Sequence, residues 1–285
     1  VPNGLFLRPM IETLMREGVA AQSITVLIAT GLHRPNEGEE LAELIGDPWV
    51  LQNVAVVNHD ARDRAEHVHL GTTGGRGVPV SLDKRFVDAD LRVVTGLVEP
   101  HFMAGYSGGR KVIAPGVAHE DTIRTFHNAK FMGHPAARQC NLEGNPLHEE
   151  QLAIADMVGE VYCLNTVLDE RRNVTFVNFG ALQASHLQAV EAVRESSLVP
   201  VGRRFSTILS SAAGYPLDLT YYQTVKGMVT PMDIMADGAR MIIASDCSEG
   251  LGSPDYRASQ ARLVASSPAA FMAQIEAKSL ADLDE

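Results

Sequence analysis

Cysteine is scarce in this chain: three among 285 residues, Cys140, Cys163 and Cys247, far apart and with no CxxC pair. That excludes a disulfide framework and a cysteine-built zinc site, and it reads as a reduced, cytoplasmic protein with buried thiols. Long apolar runs are also missing. No stretch approaches the roughly 18 residues of a membrane span, and the N-terminus lacks the basic-then-apolar order of a secretory signal, so no membrane partner is expected. Positive charge is short as well, with 24 Lys and Arg against 35 Asp and Glu and a net charge of −11. Phosphate backbones demand clustered cations, so nucleic acid is excluded as a main partner, and small molecules or other proteins remain. No GxGxxG follows the first strand with an acid about 20 residues on, which disfavours an ordinary nicotinamide-dependent dehydrogenase. Internal repeats and low-complexity tracts are absent too.

What is present is the profile of a soluble globular protein, 45% apolar and 21% charged, long enough for one large or two ordinary domains. Strand-length apolar runs alternate with amphipathic stretches of helical length, which predicts an α/β fold with mostly parallel sheets. Residues 5–19 carry apolar side chains at Leu7, Met10, Ile11, Leu14 and Met15, a helical period stopped by Gly18. "SITVLIAT" and "NVAVVNHDA" read as strands, with the helix "EGEELAELIG" between them. "EDTIRTFHNAKFM" and "NPLHEEQLAIADMVG" read as helices, the second amphipathic, and "VYCLNTVLDE" with "NVTFVNFG" as an antiparallel pair joined at "RRN". Near residue 200 the alternation restarts with "RFSTILSSAAG", "TYYQTVKGMVT" and "ARMIIASD". The expectation is two α/β domains, a catalytic one over 1–199 and a second over 200–285, with a ligand in the cleft between them.

In open α/β sheets, ligands gather at the carboxyl ends of strands. "TGLHRP" and "EPHFMAGYSGGRK" lie at such ends, so His33 and His101 occupy equivalent places and can converge on one ligand. The "GYSGGRK" turn lacks GxxxxGK[ST] spacing, because Val112 follows Lys111, yet Ser107, Gly108 and Gly109 can still offer backbone N–H groups to an anion. Lys111 opens the apolar stretch "KVIAPG". It is either a partly desolvated, nucleophilic amine or a surface lysine lying over apolar neighbours. His127 can ligate a metal or sit satisfied in the core. His59, His67 and His69 form a looser group with HxH spacing and no evident third ligand. Gln223 and Lys226, three apart on one helical face, can grip a carboxylate or phosphate or simply be solvated.

Taken in order, "ATGLHRP", "GLVEPHFMAGYSGGRKVIAPG", "FHNAKF", "EGNPLHEE" and "DLTYYQTVKG" resemble the lactate racemase family, from Val1 to about Ser253. The resemblance implies a nickel-pincer nucleotide, a pyridinium-3-thioamide-5-thiocarboxylic acid mononucleotide, tethered through a thioamide to Lys111. It implies Ni(II) held by the cofactor and by His127, two catalytic histidines at His33 and His101, and cofactor or substrate contacts from Ser107, Gly108, Gly109, Gln223 and Lys226. The implied activity is isomerisation of a small 2-hydroxy acid: one histidine takes the hydroxyl proton while a hydride leaves C2, and the planar 2-keto acid receives both back on its other face. Cofactor-synthesis enzymes are the implied partners. The family pattern also places a carboxylate-clamping arginine just before "VPNG" and a tryptophan late in the C-terminal domain. Arg8 is not in the matching place and Trp49 is the only tryptophan, so the expectation is an N-terminally truncated chain. The alternative is a non-catalytic nucleotide- or metal-binding homologue of the same fold.

Overall fold

The structure, a computed structural model, describes residues 1–215 and 217–277. The end of the expected second domain, 278–285, lies outside the described residues. In chain order the elements are α1 (Asn3–Arg16), β1 (Thr25–Ile28), α2 (Gly38–Ile45), α3 (Pro48–Asn53), β2 (Ala55–Asn58), β3 (His67–Thr72), β4 (Pro79–Asp83), α4 (Lys84–Val87) and β5 (Val93–Leu97). Next come β6 (Pro100–His101), β7 (Gly105–Tyr106), α5 (Glu120–Phe126), α6 (Ala129–Met132), α7 (Pro146–Asp156), β8 (Tyr162–Leu168), β9 (Val174–Ala181) and α8 (Leu182–Ser197). The last are β10 (Phe205–Ser211), α9 (Tyr221–Val229), β11 (Met235–Ala244), α10 (Pro254–Ala265) and α11 (Pro268–Glu276).

The expected α/β character holds. β1 pairs with β2, β5 with β8, and β10 with β11, all in parallel. β8 and β9 run antiparallel across "RRN", as their spacing predicts, and β3–β4 and β6–β7 are further antiparallel pairs. By internal contacts the chain divides into two compact units. One comprises 1–99, 107–126 and 148–193; the other comprises 100–106, 127–147 and the residues from 194 onward.

In the first unit, Leu7 and Ile11, four apart on α1, bury the same face against Ile45 of α2, Val50 of α3, and Ile24 and Val54 at the strand entrances. Each such side chain contributes about 2–3 kcal/mol on leaving water, which suffices to seat short helices that would not persist alone. β1 and β2 are thereby aligned Thr25 to Ala55, and both deliver their carboxyl ends to one side, where His33 and His59 follow. In the second unit, α9 starts at Thr220, whose hydroxyl accepts from the Gln223 N–H at 3.3 Å, and the Ser210 hydroxyl donates to the Gly227 carbonyl at 2.8 Å. The helix is thus held against β10.

Two local expectations are revised. Residues 120–132 are not one helix: the Asn128 side chain accepts from Phe131 N–H at 3.1 Å and starts α6 anew, leaving His127 in the break. The helix pattern of α7 also conceals burial of its polar residues, since His148, Glu150 and Gln151 are buried beside Leu147 and Ile154. Arg76, in the turn between β3 and β4, meets Glu149 at 2.7 Å and Glu150 at 3.3 Å, which neutralises that helix start.

Candidate active site

The "GYSGGRK" turn is built by strand β5 and what lies under it. The Ser107 hydroxyl donates to the Leu97 carbonyl at 2.8 Å and accepts from the Glu99 N–H at 3.0 Å, so it ties the turn to the end of β5. Gly108 and Gly109 have φ of 71° and 51°. A Cβ on Gly108 would lie 2.7 Å from Val98 Cγ2, and one on Gly109 would lie 2.6 Å from the His186 ring. Both glycines are therefore required by the turn's own packing onto β5 and α8. Gly109–Val112 is one turn of 3₁₀ helix, and Lys111 within it is half-buried.

His33 is exposed, in the loop that follows β1. Its N–H donates to the Thr30 carbonyl at 3.0 Å, and the next residue, Gly31, donates to the Gly116 carbonyl at 2.9 Å. Gly116 N–H in turn donates to the Lys111 carbonyl at 3.2 Å. A short run of backbone hydrogen bonds therefore joins the His33 loop to the Lys111 turn. Ser107, Gly108, Gly109, Lys111 and His33 all belong to the first unit.

His101, His127, Gln223 and Lys226 belong to the second unit. His101 sits in β6, and its Nδ1 accepts from Ala104 N–H at 3.2 Å and Met103 N–H at 3.4 Å. A ring accepting at Nδ1 carries its proton on Nε2 when neutral. His127 is half-buried in the break between α5 and α6. Gln223 and Lys226 lie one turn apart on α9, the first half-buried and the second exposed.

Sequence reasoning missed the polar floor beneath the Lys111 turn. Arg110 is fully buried, and burial pulls its guanidinium down to about 9. Its Nη1 lies 3.1 Å from His186 Nε2, which is also 2.9 Å from the Ser107 carbonyl. A neutral imidazole nitrogen either donates or accepts, so Nε2 serves one of these partners at a time. Burial, then the Arg110 charge, lowers His186 to about 3 and His148 to about 4. Both rings are neutral spacers. The one available signal was "GGRK" itself, with an arginine wedged between a glycine turn and an apolar run.

The HxH group resolves into separate roles. His59 and His67 touch through their Nε2 atoms at 3.0 Å, whereas exposed His69 pairs with the Ser81 hydroxyl at 3.2 Å. Among the described residues no three His, Cys, Asp or Glu side chains gather so as to hold a metal ion. Among the described residues His127 is thus not part of such a cluster.

Residues 1–140 match the lactate racemase N-terminal domain, and residues 203–282 match the lactate racemase C-terminal domain. The chain is 34% identical over 256 residues to the lactate racemase of Thermoanaerobacterium thermosaccharolyticum, and 32% identical over 256 residues to that of Lactiplantibacillus plantarum. Each match covers 90% of this chain and 59% of the relative, so the chain spans about three fifths of the length of these curated relatives. The solved lactate racemase apoprotein from T. thermosaccharolyticum superimposes with a TM-score of 0.91 at 32% identity, covering 99% of this chain and 66% of that one. A Thermotoga maritima protein shares the fold, with a TM-score of 0.63 at 23% identity over 81% of this chain and 60% of its own.

Proposed function

The chain belongs to the lactate racemase family, and on that premise we propose that it serves an isomerase that interconverts the enantiomers of a small 2-hydroxy acid. Lactate is the first substrate to test, since both curated relatives carry that name. The observation that supports this reading is the backbone path from Lys111 through Gly116 and Gly31 to the His33 loop, which ties the turn of the proposed anchor to the loop of a proposed base. The domains expected from sequence are 1–199, catalytic, and 200–285, whereas by contacts His101 and His127 group with the residues from 194 onward.

In this reading Lys111 holds the nickel-pincer nucleotide through its Nζ, and His127 supplies an imidazole to Ni(II). When bound, the cofactor supplies a reversible hydride acceptor, a chemistry that no side chain offers. The chain's own residues handle protons and orientation. His33 and His101 take up and return the proton of the substrate hydroxyl; two groups are needed because the enantiomers present that hydroxyl from opposite sides. His101, with its neutral-ring proton on Nε2, offers that N–H as a hydrogen-bond donor to the substrate, and it gives up a proton only from its charged form. Lys226 pairs with the substrate carboxylate and Gln223 orients the bound molecule. The expected anion cradle is smaller than the sequence suggests: the Ser107 N–H is given to the Glu99 carbonyl at 2.9 Å and the Gly109 N–H to the Cys163 thiol, so an anion contact from this turn falls to Gly108. Enzymes that install the cofactor are the expected partners, and three free thiols support a reducing, cytoplasmic setting. Among the described residues no helix is long and apolar enough to cross a membrane.

A chiral assay tests the reading on protein made together with the cofactor-synthesis enzymes. Equal conversion of either lactate enantiomer to the racemate supports it; no change in lactate, malate or longer 2-hydroxy acids contradicts it.

A further inference from the structure

Three imidazoles from three elements stack edge to face beside the loop that carries His33. His59 follows β2, His67 opens β3 and His119 precedes α5; the ring centroids are 5.2 Å apart for His59 and His67 and 5.0 Å apart for His67 and His119. The first pair meets through Nε2 atoms at 3.0 Å, a contact that needs one proton between two ring nitrogens. His67 Nδ1 lies 2.7 Å from the Asp63 carbonyl, which only accepts, so Nδ1 is protonated. In neutral His67 the Nε2 is then bare, and His59 donates to it from Nε2. That leaves Nδ1 of His59 bare, 3.3 Å from Thr30 Oγ1. Thr30 directs its hydroxyl proton to the His59 carbonyl at 2.8 Å, and its own carbonyl holds the His33 N–H.

We propose that Thr30, His59 and His67 form a relay that positions the His33 loop, and that proton uptake at His67 is answered by a tautomer change at buried His59 rather than by charging it. The inference rests on the reading of His33 as an acid/base group. The protons balance as follows. The neutral pair holds two, on His67 Nδ1 and His59 Nε2. One proton from water makes three: His67 carries both of its own and the charge, donating from Nε2. His59 accepts there and carries its proton on Nδ1, aimed at Thr30 Oγ1. The threonine hydroxyl then has two bonds to one residue, and the loop behind it is held more firmly.

The surroundings favour a neutral His59. It is 2% exposed, and desolvation, followed by the charge on His67, lowers it to about 4. Asp83, Arg85 and Asp60 also face it. Asp83 is committed to Arg85, and Asp60 accepts the Arg62 N–H at 3.0 Å. Glu66 lies between Lys84 and Arg85. On the far side of His67, His119 is itself lowered, first by burial; Asp121, Arg64 and Glu120 face it, with Asp121 paired to Arg64 and Glu120 to Arg124. Each carboxylate near the pair has its own donor, so His67 is the partner that His59 answers to.

The test is imidazole ¹⁵N NMR on the full chain from about pH 5 to 9, spanning the ordinary histidine range, in wild type and in His67→Gln. The glutamine oxygen can accept from His59 Nε2 but cannot take up a proton. The expected result is a wild-type His59 that moves its proton from Nε2 to Nδ1 while staying neutral, and a variant His59 fixed as Nε2–H. A wild-type His59 that keeps one tautomer throughout, or that charges along with His67, overturns the proposal. In cofactor-loaded protein, kcat in wild type should show an inflection that His67→Gln loses, with KM within twofold; identical profiles remove the positioning role. If loaded wild type racemises nothing, the functional reading fails, while the NMR result still decides the relay. Should His67→Gln not fold, Thr30→Val carries the test: without its Oγ1 acceptor the swap should move to lower pH by about half a unit to one unit, and an unmoved swap contradicts the account.

Discussion

The Gly31 N–H donates to the Gly116 carbonyl at 2.9 Å, and this bond ties the loop of one candidate base to the turn of the candidate anchor. Residues 85 positions apart in sequence are locked in register by it, and a substitution that moves one loop is felt by the other. The same backbone run reaches Thr30 on one side and Lys111 on the other.

Replacing Gly109 by alanine should disturb this arrangement from below. Its φ of 51° and the 2.6 Å approach to the His186 ring leave no room for a methyl group. The expected loss is on the order of 2–4 kcal/mol, combining left-handed strain with overpacking. Urea denaturation monitored by circular dichroism measures it, and an unchanged midpoint would refute the packing assignment.

Stability should fall on acidification below neutrality. His59 and His148 are lowered to about 4 and His186 to about 3, all chiefly by burial. The unfolded chain binds protons at these sites near pH 6.5 and the folded chain does not, so their contribution is complete above about pH 6.5 and is lost as pH falls towards 4 and then 3. The thermal midpoint should drop between pH 7 and pH 4 by an amount equivalent to several kcal/mol. A flat midpoint over that range contradicts the buried neutral rings.

Thiol chemistry should separate the cysteines. Burial raises the Cys163 thiol to about 12, whereas Cys140 and Cys247 are half-buried. Native protein treated with iodoacetamide should gain label at Cys140 or Cys247 before Cys163, which should react only on unfolding. Peptide mapping that finds Cys163 labelled first would show that β8 is more open than described.

The candidate bases can be separated from the anchor by variant. His101→Ala should abolish racemisation, a loss of at least about 100-fold for removal of a general acid/base, and leave the cofactor adduct in place. Lys111→Ala should lose both. Full activity in the histidine variant would remove His101 from the mechanism.

Much of this was legible in the sequence because short-range physics wrote it there. The period of Leu7, Ile11 and Met15 gives α1, and the apolar runs give β1, β2, β5 and β8 with parallel pairing where helices intervene. The motif order gives the family. The break at His127 was hidden, because Asn128 is both an acceptable helix residue and a cap, and only its 3.1 Å bond to Phe131 N–H decides which. The polar floor of Arg110, His148 and His186 was hidden for a different reason. Those residues come from three distant segments, and a lone histidine in a helical pattern carries no sign of what it will face. The His59–His67 contact escaped the metal reading of the HxH pair in the same way: His69, not His59, sits in that motif, and His69 is exposed beside the Ser81 hydroxyl.

The central claim is that Lys111 anchors a nickel-bearing cofactor. Intact-mass spectrometry with metal analysis, on protein made together with the cofactor-synthesis enzymes, addresses it most directly. The account predicts a single adduct that peptide mapping assigns to Lys111, with stoichiometric nickel that is lost in His127→Ala while the adduct remains. An unmodified chain without nickel, or an adduct mapped to any other lysine, would contradict it.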